Sequence, residues 1–149
     1  MTPRLALVLG DPAGIGPEIM AKLLADESNR NKAALLLVAD PDELAEGMRI
    51  AGVDLPITRV NDPAALAPGR IALHEVRRTV PIPRGQSSAA GGAHAMDTLR
   101  ECLALAQAGT VDGICFAPLN KASLHMAQMG HPDELHWFAE VLGHQGAHS

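Results

Sequence analysis

Short apolar runs alternate with longer stretches of helical periodicity along the chain. Continuous apolar runs are typical of parallel strands covered on both faces, and they predict buried strands at 4–9, 33–39 and 111–116. Apolar spacing and helix-boundary residues predict helices at 18–24, 41–51, 89–108, 122–129 and 133–142. This alternation indicates an α/β fold with a mainly parallel sheet flanked by helices, in a single region over residues 1–149.

Helix-boundary residues flank the predicted helix at 41–51. Asp40 can cap its first turn, Pro41 suits the first helical position, and Glu43 is spaced to reach back to the Asp40 amide. Gly52 follows as a left-handed stop.

The stretch 53–80 carries the weakest pattern. Pro56, Pro63 and Pro68 interrupt it, so only two short strands are predicted there, at 57–60 and 71–73.

The two cysteines both fall in apolar positions. Cys102 belongs to the apolar stripe of helix 89–108, and Cys115 lies in the apolar run 111–116, so both are predicted to be inert buried thiols. Two cysteines are too few for a disulfide framework or a zinc knuckle, which favours a reducing compartment and a cytoplasmic protein.

Composition excludes several classes of partner. Twelve basic against seventeen acidic side chains give a net charge of −5, and no basic run provides a footprint for nucleic acid. No segment is apolar and free of charge over the roughly 20 residues that a membrane span requires. We therefore expect neither a nucleic acid nor a membrane as a partner.

The densest chemical signal is the sequence Gly-Asp-Pro-Ala-Gly-Ile-Gly-Pro-Glu at 10–18, between the first strand and the first helix. Ligands bind at such strand ends in open α/β sheets, and glycines beside a helix N-terminus let backbone approach an anion. Asp11, Gly14 and Gly16 are therefore candidate residues for a substrate phosphate or carboxylate. The spacing fits neither a dinucleotide fingerprint nor a Walker loop, and a tight turn without a ligand is the alternative.

A second candidate follows the strand at 111–116. Asn120 and Lys121 offer an amide and a positive charge suited to a carboxylate or phosphate, although an exposed turn lysine is the alternative. Asp11 and Lys121 follow two strands of one sheet, so they can converge.

Two histidines and two acidic residues crowd into 131–136. His131 and His136 lack the spacing of a zinc helix motif, so no metal ligand is assigned there. His131 is a candidate hydrogen-bond partner for substrate, with an exposed surface histidine as the alternative. The apolar residues of the following helix are predicted to form its packing face: Trp137, Phe138, Val141 and Leu142. The other histidines are predicted to be structural or exposed: His74, His94, His125, His144 and His148.

The motif at 10–18, the Gly91-Gly92 pair, Val-Asp-Gly at 111–113 and Ala-Pro-Leu-Asn-Lys at 117–121 occur in a characteristic order. On these motifs the sequence resembles the 4-hydroxythreonine-4-phosphate dehydrogenases of vitamin B6 synthesis and their relatives. The resemblance implies NAD- or NADP-dependent oxidation of a secondary alcohol in a phosphorylated hydroxy acid, assisted by a divalent metal. The substrate it implies is 4-hydroxythreonine 4-phosphate, with oxidative decarboxylation in the B6 enzyme, or a related sugar-acid phosphate or dihydrodiol. It also implies two α/β domains, related to isocitrate and isopropylmalate dehydrogenases, and an active site built across a homodimer.

The sequence departs from that family in two ways. The family chain is longer, and its metal-binding histidines, nicotinamide-binding segments and several substrate ligands are expected beyond the part represented here. We therefore expect an N-terminal portion that does not catalyse alone, with a non-catalytic α/β anion-binding fragment as the alternative. The family also carries a Gly-His-Thr-Glu motif, for which Gly130-His131 is the literal match, whereas an ungapped count from Lys121 places Glu134 and Leu135 at the His and Thr positions.

Overall fold

In the part of the chain that the structure describes, five parallel strands form one central sheet. The computed structural model describes residues 1–60, 62 and 66–146, so Pro63 and His148 lie outside the described residues. The strands are β1 (Arg4–Val8), β2 (Ala34–Ala39), β3 (Ile57–Arg59), β4 (Ile71–Glu75) and β5 (Gly113–Phe116). Their order is β3-β4-β2-β1-β5, which places the two most apolar runs, β1 and β2, inside the sheet.

Six helices of the described residues flank the sheet. They are α1 (Gly16–Ala25), α2 (Glu27–Arg30), α3 (Pro41–Ala51), α4 (Ala89–Gln107), α5 (Lys121–Met126) and α6 (Glu134–Val141). The predicted α/β fold with a parallel sheet is confirmed, and so are the two short strands predicted within 53–80.

Each face of the sheet has its own apolar core, because side chains alternate between faces along a strand. On one face Leu7 and Leu37 pack with Met20 and Leu24 of α1 and Leu44 of α3. On the other face the alternate strand residues Ala6, Val8, Leu36 and Val38 pack with α4, α5 and α6. These helices contribute Leu99, Leu124 and Trp137 to that core. The central strands therefore serve two cores at once.

The start of α3 departs from the predicted capping box. Asp40 caps the helix as expected, accepting from the amides of Asp42 and Glu43 at 2.8 and 3.1 Å. The Glu43 side chain does not return to the Asp40 amide; it is buried with Oε2 3.3 Å from Nε2 of His94 on α4. The Glu43 carboxylate therefore lies beside the His94 ring on α4 and not beside the Asp40 amide.

The prediction that Cys115 is buried is wrong. β5 pairs only with β1 among the described strands, so it lies at the edge of the sheet, and Cys115 and Phe116 are exposed. Cys102 is buried on α4 as predicted, and burial raises the pKa of its thiol to about 12. Leu142 was also predicted to pack but is exposed, because α6 ends at Val141.

Candidate functional site

The loops that carry the candidate residues meet at one edge of the sheet. Since all strands are parallel, their carboxyl ends lie together, and β1 and β5 are neighbours. The amide of Asp11 donates to the carbonyl oxygen of Pro118 at 3.0 Å. The loop after β1 therefore touches the loop that leads to Asn120 and Lys121.

Gly10 permits this contact. Its φ is +76°, and a Cβ placed there would lie 2.5 Å from the carbonyl oxygens of both Ala117 and Pro118. Only glycine can bring the two loops this close.

The two candidate glycines of the loop have different surroundings. A Cβ on Gly16 would lie 1.8 Å from the Leu9 carbonyl oxygen, so this glycine packs the start of α1 against the end of β1. A Cβ on Gly14 would meet nothing nearer than the Asp11 side chain, at 3.4 Å. Gly14 thus leaves room that Gly16 does not.

Asp11 is buried beneath this loop and has a positioning contact. Its Oδ1 accepts from the Ala13 amide at 3.0 Å, and the same oxygen would be 3.8 Å from a Cβ on Gly91, in the first turn of α4. A carboxylate beside a helix N-terminus is stabilised by the unpaired amides and the helix dipole. The Asp11 carboxylate therefore holds the glycine loop through the Ala13 amide and lies beside the start of α4.

Sequence reasoning did not identify the arginine that covers the glycine loop. Arg84 donates to the Gly14 carbonyl oxygen at 3.1 Å and to the Glu18 carboxylate at 3.2 Å. The neighbouring Gly85 amide donates to the Ala13 carbonyl oxygen at 2.8 Å. These partners are about 70 residues apart in sequence, and no local signal connects them.

Asn120 joins the end of β5 to the loop before α4. Its Oδ1 accepts from the Ser123 amide at 3.0 Å and caps α5, while its Nδ2 donates to Ser87 Oγ at 3.0 Å. Ser123 Oγ in turn accepts from the Ser88 amide at 3.1 Å. The roles of Ser87 and Ser88 were not predicted from the sequence, although a serine-rich stretch before a helix was the available signal.

Lys121 begins α5 and is exposed. The pKa of Asp133 lies below its ordinary value because the His136 amide and ring hydrogen-bond its carboxylate, and because the charge of Lys121 is close. The structure thus brings Lys121 near the start of α6, a proximity that sequence reasoning did not anticipate.

The two residues considered for one family position occupy different settings. The His131 ring contacts the Glu140 carboxylate on α6. Glu134 lies in the first turn of α6, with its Oε2 buried and without a hydrogen-bond partner. Among the hydrogen bonds of the described residues, none joins His131 or Glu134 to Lys121 or Asp11.

The described residues do not fit a metal or a dinucleotide by themselves. Within the ranges 1–60 and 66–146 no group of three or more His, Cys, Asp or Glu side chains could hold a metal ion. Protein backbone fills the space beside Gly10 and Gly16, so the glycine loop does not form a dinucleotide cradle. No helix in the part of the chain that the structure describes is long and apolar enough to cross a membrane.

Comparisons with known proteins agree on one family. Residues 31–148 match the profile of the family described as pyridoxal phosphate biosynthetic protein PdxA. The chain is 51% identical over 148 residues to a protein of Pseudomonas aeruginosa provisionally named 4-hydroxythreonine-4-phosphate dehydrogenase 2, covering 97% of this chain and 44% of that protein. It is 42% identical to a D-threonate 4-phosphate dehydrogenase of Bordetella bronchiseptica, covering 96% of this chain and 41% of that one.

A solved structure agrees in fold. The crystal structure of a 4-hydroxythreonine-4-phosphate dehydrogenase from Burkholderia phymatum matches with a TM-score of 0.87 and 31% identity, over 98% of this chain and 45% of that chain. The chain thus spans less than half the length of the relatives that it matches.

Proposed function

Because the chain belongs to the PdxA family, we propose that it forms part of a dehydrogenase that oxidises the secondary alcohol of a phosphorylated hydroxy acid. The related proteins named above act, by their names, on 4-hydroxythreonine 4-phosphate or D-threonate 4-phosphate. The substrate we propose for this site is a compound of that class. A nicotinamide cofactor, as NAD or NADP, would accept the hydride, and a divalent metal would polarise the alcohol oxygen.

The observation that carries the proposal is the meeting of the loops after β1 and β5. Lys121 is exposed at the start of α5, and the Asp11–Pro118 hydrogen bond brings the glycine loop against the β5–α5 loop that precedes Lys121. Lys121 would bind a substrate phosphate or carboxylate beside Gly14, where an added Cβ would meet only Asp11, at ordinary van der Waals distances of 3.4 Å or more.

The other candidate residues would position this site. Asp11 and Gly16 hold the glycine loop, and Asn120 fixes the first turn of α5 from which Lys121 projects. His131 would contact the substrate, with Glu140 as the partner that orients its ring. None of these residues forms a metal-ligand set, so the metal ligands would come from another part of the assembled enzyme.

The same proposal covers the assembly. The chain would form one α/β region of a longer two-domain, homodimeric enzyme in the cytoplasm. The chain covers 44% of the P. aeruginosa relative, which supports its being one region of a longer enzyme. Its two free cysteines support a cytoplasmic location. A non-catalytic anion-binding unit is the second candidate, favoured by the lack of a metal-ligand set among the described residues.

Calorimetric titration of the 149-residue chain tests the site. We expect 4-hydroxythreonine 4-phosphate or D-threonate 4-phosphate to bind, and NAD and Mg²⁺ added separately to bind weakly or not at all. Failure of both phosphorylated acids to bind would remove the site from this chain. Tight binding of NAD and Mg²⁺ as well would show that the cofactor sites lie within these residues.

The variant Lys121→Ala tests the residue that we place against the anion. Loss of one charge-assisted hydrogen bond should weaken binding of the phosphorylated acid by about 1.5–3 kcal/mol. The matched control is Lys22→Ala, which removes another exposed lysine, on α1. Equal affinity of the two variants would make Lys121 an ordinary surface lysine.

A further inference from the structure

A cavity of about 320 Å³ lies beside the glycine loop, between the first two turns of α3 and the segment 78–84 that follows β4. We call it the α3 pocket. Its two walls carry opposite charges. The acidic wall is formed by Asp42, Glu43 and Glu46 of α3, and the basic wall by Arg78 and Arg84.

Glu43 contributes a buried carboxylate to this pocket. The residue is 6% exposed, and its Oε2 has no hydrogen-bond partner among the described residues. Nε2 of His94 lies 3.3 Å from this oxygen but does not make a hydrogen bond to it. The first-turn amides of Asp42 and Glu43 are also taken, because both donate to Asp40. A buried carboxylate without a donor is costly, so a positively charged donor entering the pocket would stabilise Glu43.

The basic wall retains hydrogen-bonding capacity. Arg78 reaches Asp40 through its main-chain amide, at 2.8 Å, and through Nε, at 3.6 Å. In the described part of the chain neither Nη atom of Arg78 makes a hydrogen bond. Arg84 directs Nη2 to the Gly14 carbonyl oxygen and to Glu18. A guanidinium binds a carboxylate through two parallel N–H donors, so Arg78 can hold one in this pocket.

The two walls together disfavour an ion of a single sign. Arg78 and Arg84 would repel a simple cation, and the acidic wall would repel a simple anion. A metal ion does not fit, because no group of three or more His, Cys, Asp or Glu side chains in the described ranges could hold one. The walls also interact: hydrogen bonds from Arg49 hold the pKa of Glu46 below its ordinary value, and the charge of Arg84 lowers it further. A ligand with one charge of each sign suits both walls.

We propose that the α3 pocket binds a small zwitterion, a free α-amino acid with an aliphatic side chain. Its ammonium would donate to Glu43, and its carboxylate would accept from the Arg78 guanidinium. Its side chain would lie against Pro12 and Ile82, which supply the apolar part of the lining. Lys121 does not line this pocket, and the ligand carries no phosphate, so the inference does not depend on the proposed activity.

L-Valine is the probe, and its binding is followed by two-dimensional NMR of the isotope-labelled chain. We expect saturable shifts of the amide signals of the two walls, and no shift at Lys121. Isovalerate lacks the ammonium, N-acetyl-L-valine has it blocked, and isobutylamine lacks the carboxylate. Each of these analogues should bind about tenfold more weakly than L-valine or not at all, because one charge-assisted contact is lost.

Two substitutions test the two walls separately. Glu43→Gln keeps the shape of the side chain but removes its charge, so the affinity for L-valine should fall by about tenfold or more. The matched control is Glu101→Gln: Oε1 of Glu101 also lies beside a histidine, 3.0 Å from Nε2 of His74, but outside the pocket.

Arg78→Gln should weaken L-valine binding to the same extent, whereas the weak binding of isobutylamine should not fall. Its control is Arg77→Gln, since Arg77 is adjacent in sequence and does not line the α3 pocket. Circular dichroism of each variant checks that the fold is retained. Should Glu43→Gln fail to fold, Arg78→Gln and the three analogues still decide the question.

Absence of saturable shifts with L-valine would overturn the proposal. Equal affinity for L-valine and isovalerate would also overturn it, because the pocket would then be a simple anion site. Equal affinity for L-valine and isobutylamine would make it a simple cation site, with the same consequence. Unchanged L-valine affinity in folded Glu43→Gln or Arg78→Gln would likewise count against the α3 pocket.

Discussion

At the scale of single residues, Gly14 and Gly16 make a matched pair for testing why the loop is rich in glycine. Gly16→Ala should destabilise the fold by about 1–3 kcal/mol, because its Cβ would overlap the Leu9 carbonyl oxygen at 1.8 Å. Gly14→Ala should leave stability nearly unchanged, since its nearest neighbour is the Asp11 side chain at 3.4 Å. Urea unfolding of both variants measures the difference, and equal losses would contradict it.

The same pair separates packing from binding. If Gly14 lies against the phosphate, Gly14→Val should abolish binding of a phosphorylated acid while the fold is retained, because the larger side chain fills the open side of the loop. Circular dichroism and calorimetry on the same sample check the two halves of this prediction. Unchanged affinity would remove the glycine loop from the site.

Candidate site residues could be selected from the sequence where the signal is local. Asn120 and Lys121 lie where the loop after β5 enters α5, and Asp11 lies in a glycine-rich strand-to-helix loop, so position alone selected them. The partners of these residues could not be predicted, because the Asn120–Ser87 and Arg84–Gly14 contacts join distant parts of the chain. Cys115 was misjudged for the same reason, since burial of an apolar strand depends on what covers it.

At the scale of secondary-structure elements, Asp40 connects the start of α3 to the end of β4. Its carboxylate caps α3 and also accepts from the Arg78 amide at 2.8 Å. Burial by itself would raise the pKa of Asp40, but the hydrogen bonds from the Arg78, Glu43 and Asp42 amides and the charge of Arg78 hold the pKa below its ordinary value. The ionised form is therefore the one that stabilises the fold.

This gives a pH-dependent prediction for Asp40→Ala. At pH 7 the variant should lose about 1–2 kcal/mol of stability, because a capping side chain is removed. The folded-state pKa is lowered, so the stabilisation is present above the unfolded carboxyl pKa of about 3.9 and is lost as pH falls below it. The difference between wild type and variant should therefore shrink below about pH 4.

Thermal unfolding across pH 2–7 measures this difference, with Asp42→Ala as the control. Asp42 occupies the same first turn but is exposed, so its loss should cost less than 1 kcal/mol. A gap between wild type and Asp40→Ala that stays constant down to pH 2 would contradict the role of the ionised cap.

The boundaries of secondary-structure elements were predictable where the capping residues and the hydrophobic periodicity indicate the same positions. α3 begins at Pro41 after the Asp40 cap and ends before Gly52, which adopts a φ of 66° as a left-handed stop. The side chain of Glu43 was not predictable, because the local capping-box spacing competes with a buried tertiary partner, His94. Local signals therefore set element boundaries but not the contacts between elements.

At the scale of the whole molecule, alternation of strands and helices predicted a parallel sheet but not its order. The order β3-β4-β2-β1-β5 places β4 between β2 and β3, and α4 then carries the chain from β4 to β5. No periodicity encodes which strands become neighbours. The neighbours β1 and β5 nevertheless decide the site, because their pairing brings the glycine loop to Pro118.

The two cores share β1 and β2, which predicts that residues 1–149 unfold as one unit. Trp137, the only tryptophan, is buried against α4 and reports on one core. Leu24 lies in the opposite core and Leu99 lies in the same core as Trp137, and each is changed to Ala. Each should cost about 2–5 kcal/mol, because a fully buried leucine is truncated.

If the sheet couples the two faces, both variants should shift the urea midpoint of Trp137 fluorescence and of far-ultraviolet circular dichroism together. Leu24→Ala makes the decisive comparison, since its side chain packs on the face away from Trp137. If Leu24→Ala shifts the circular dichroism midpoint but leaves the fluorescence midpoint unchanged, α1 and α3 unfold separately. Coincident shifts would mean that α1, which packs on the face of the sheet opposite Trp137, is held by the whole sheet.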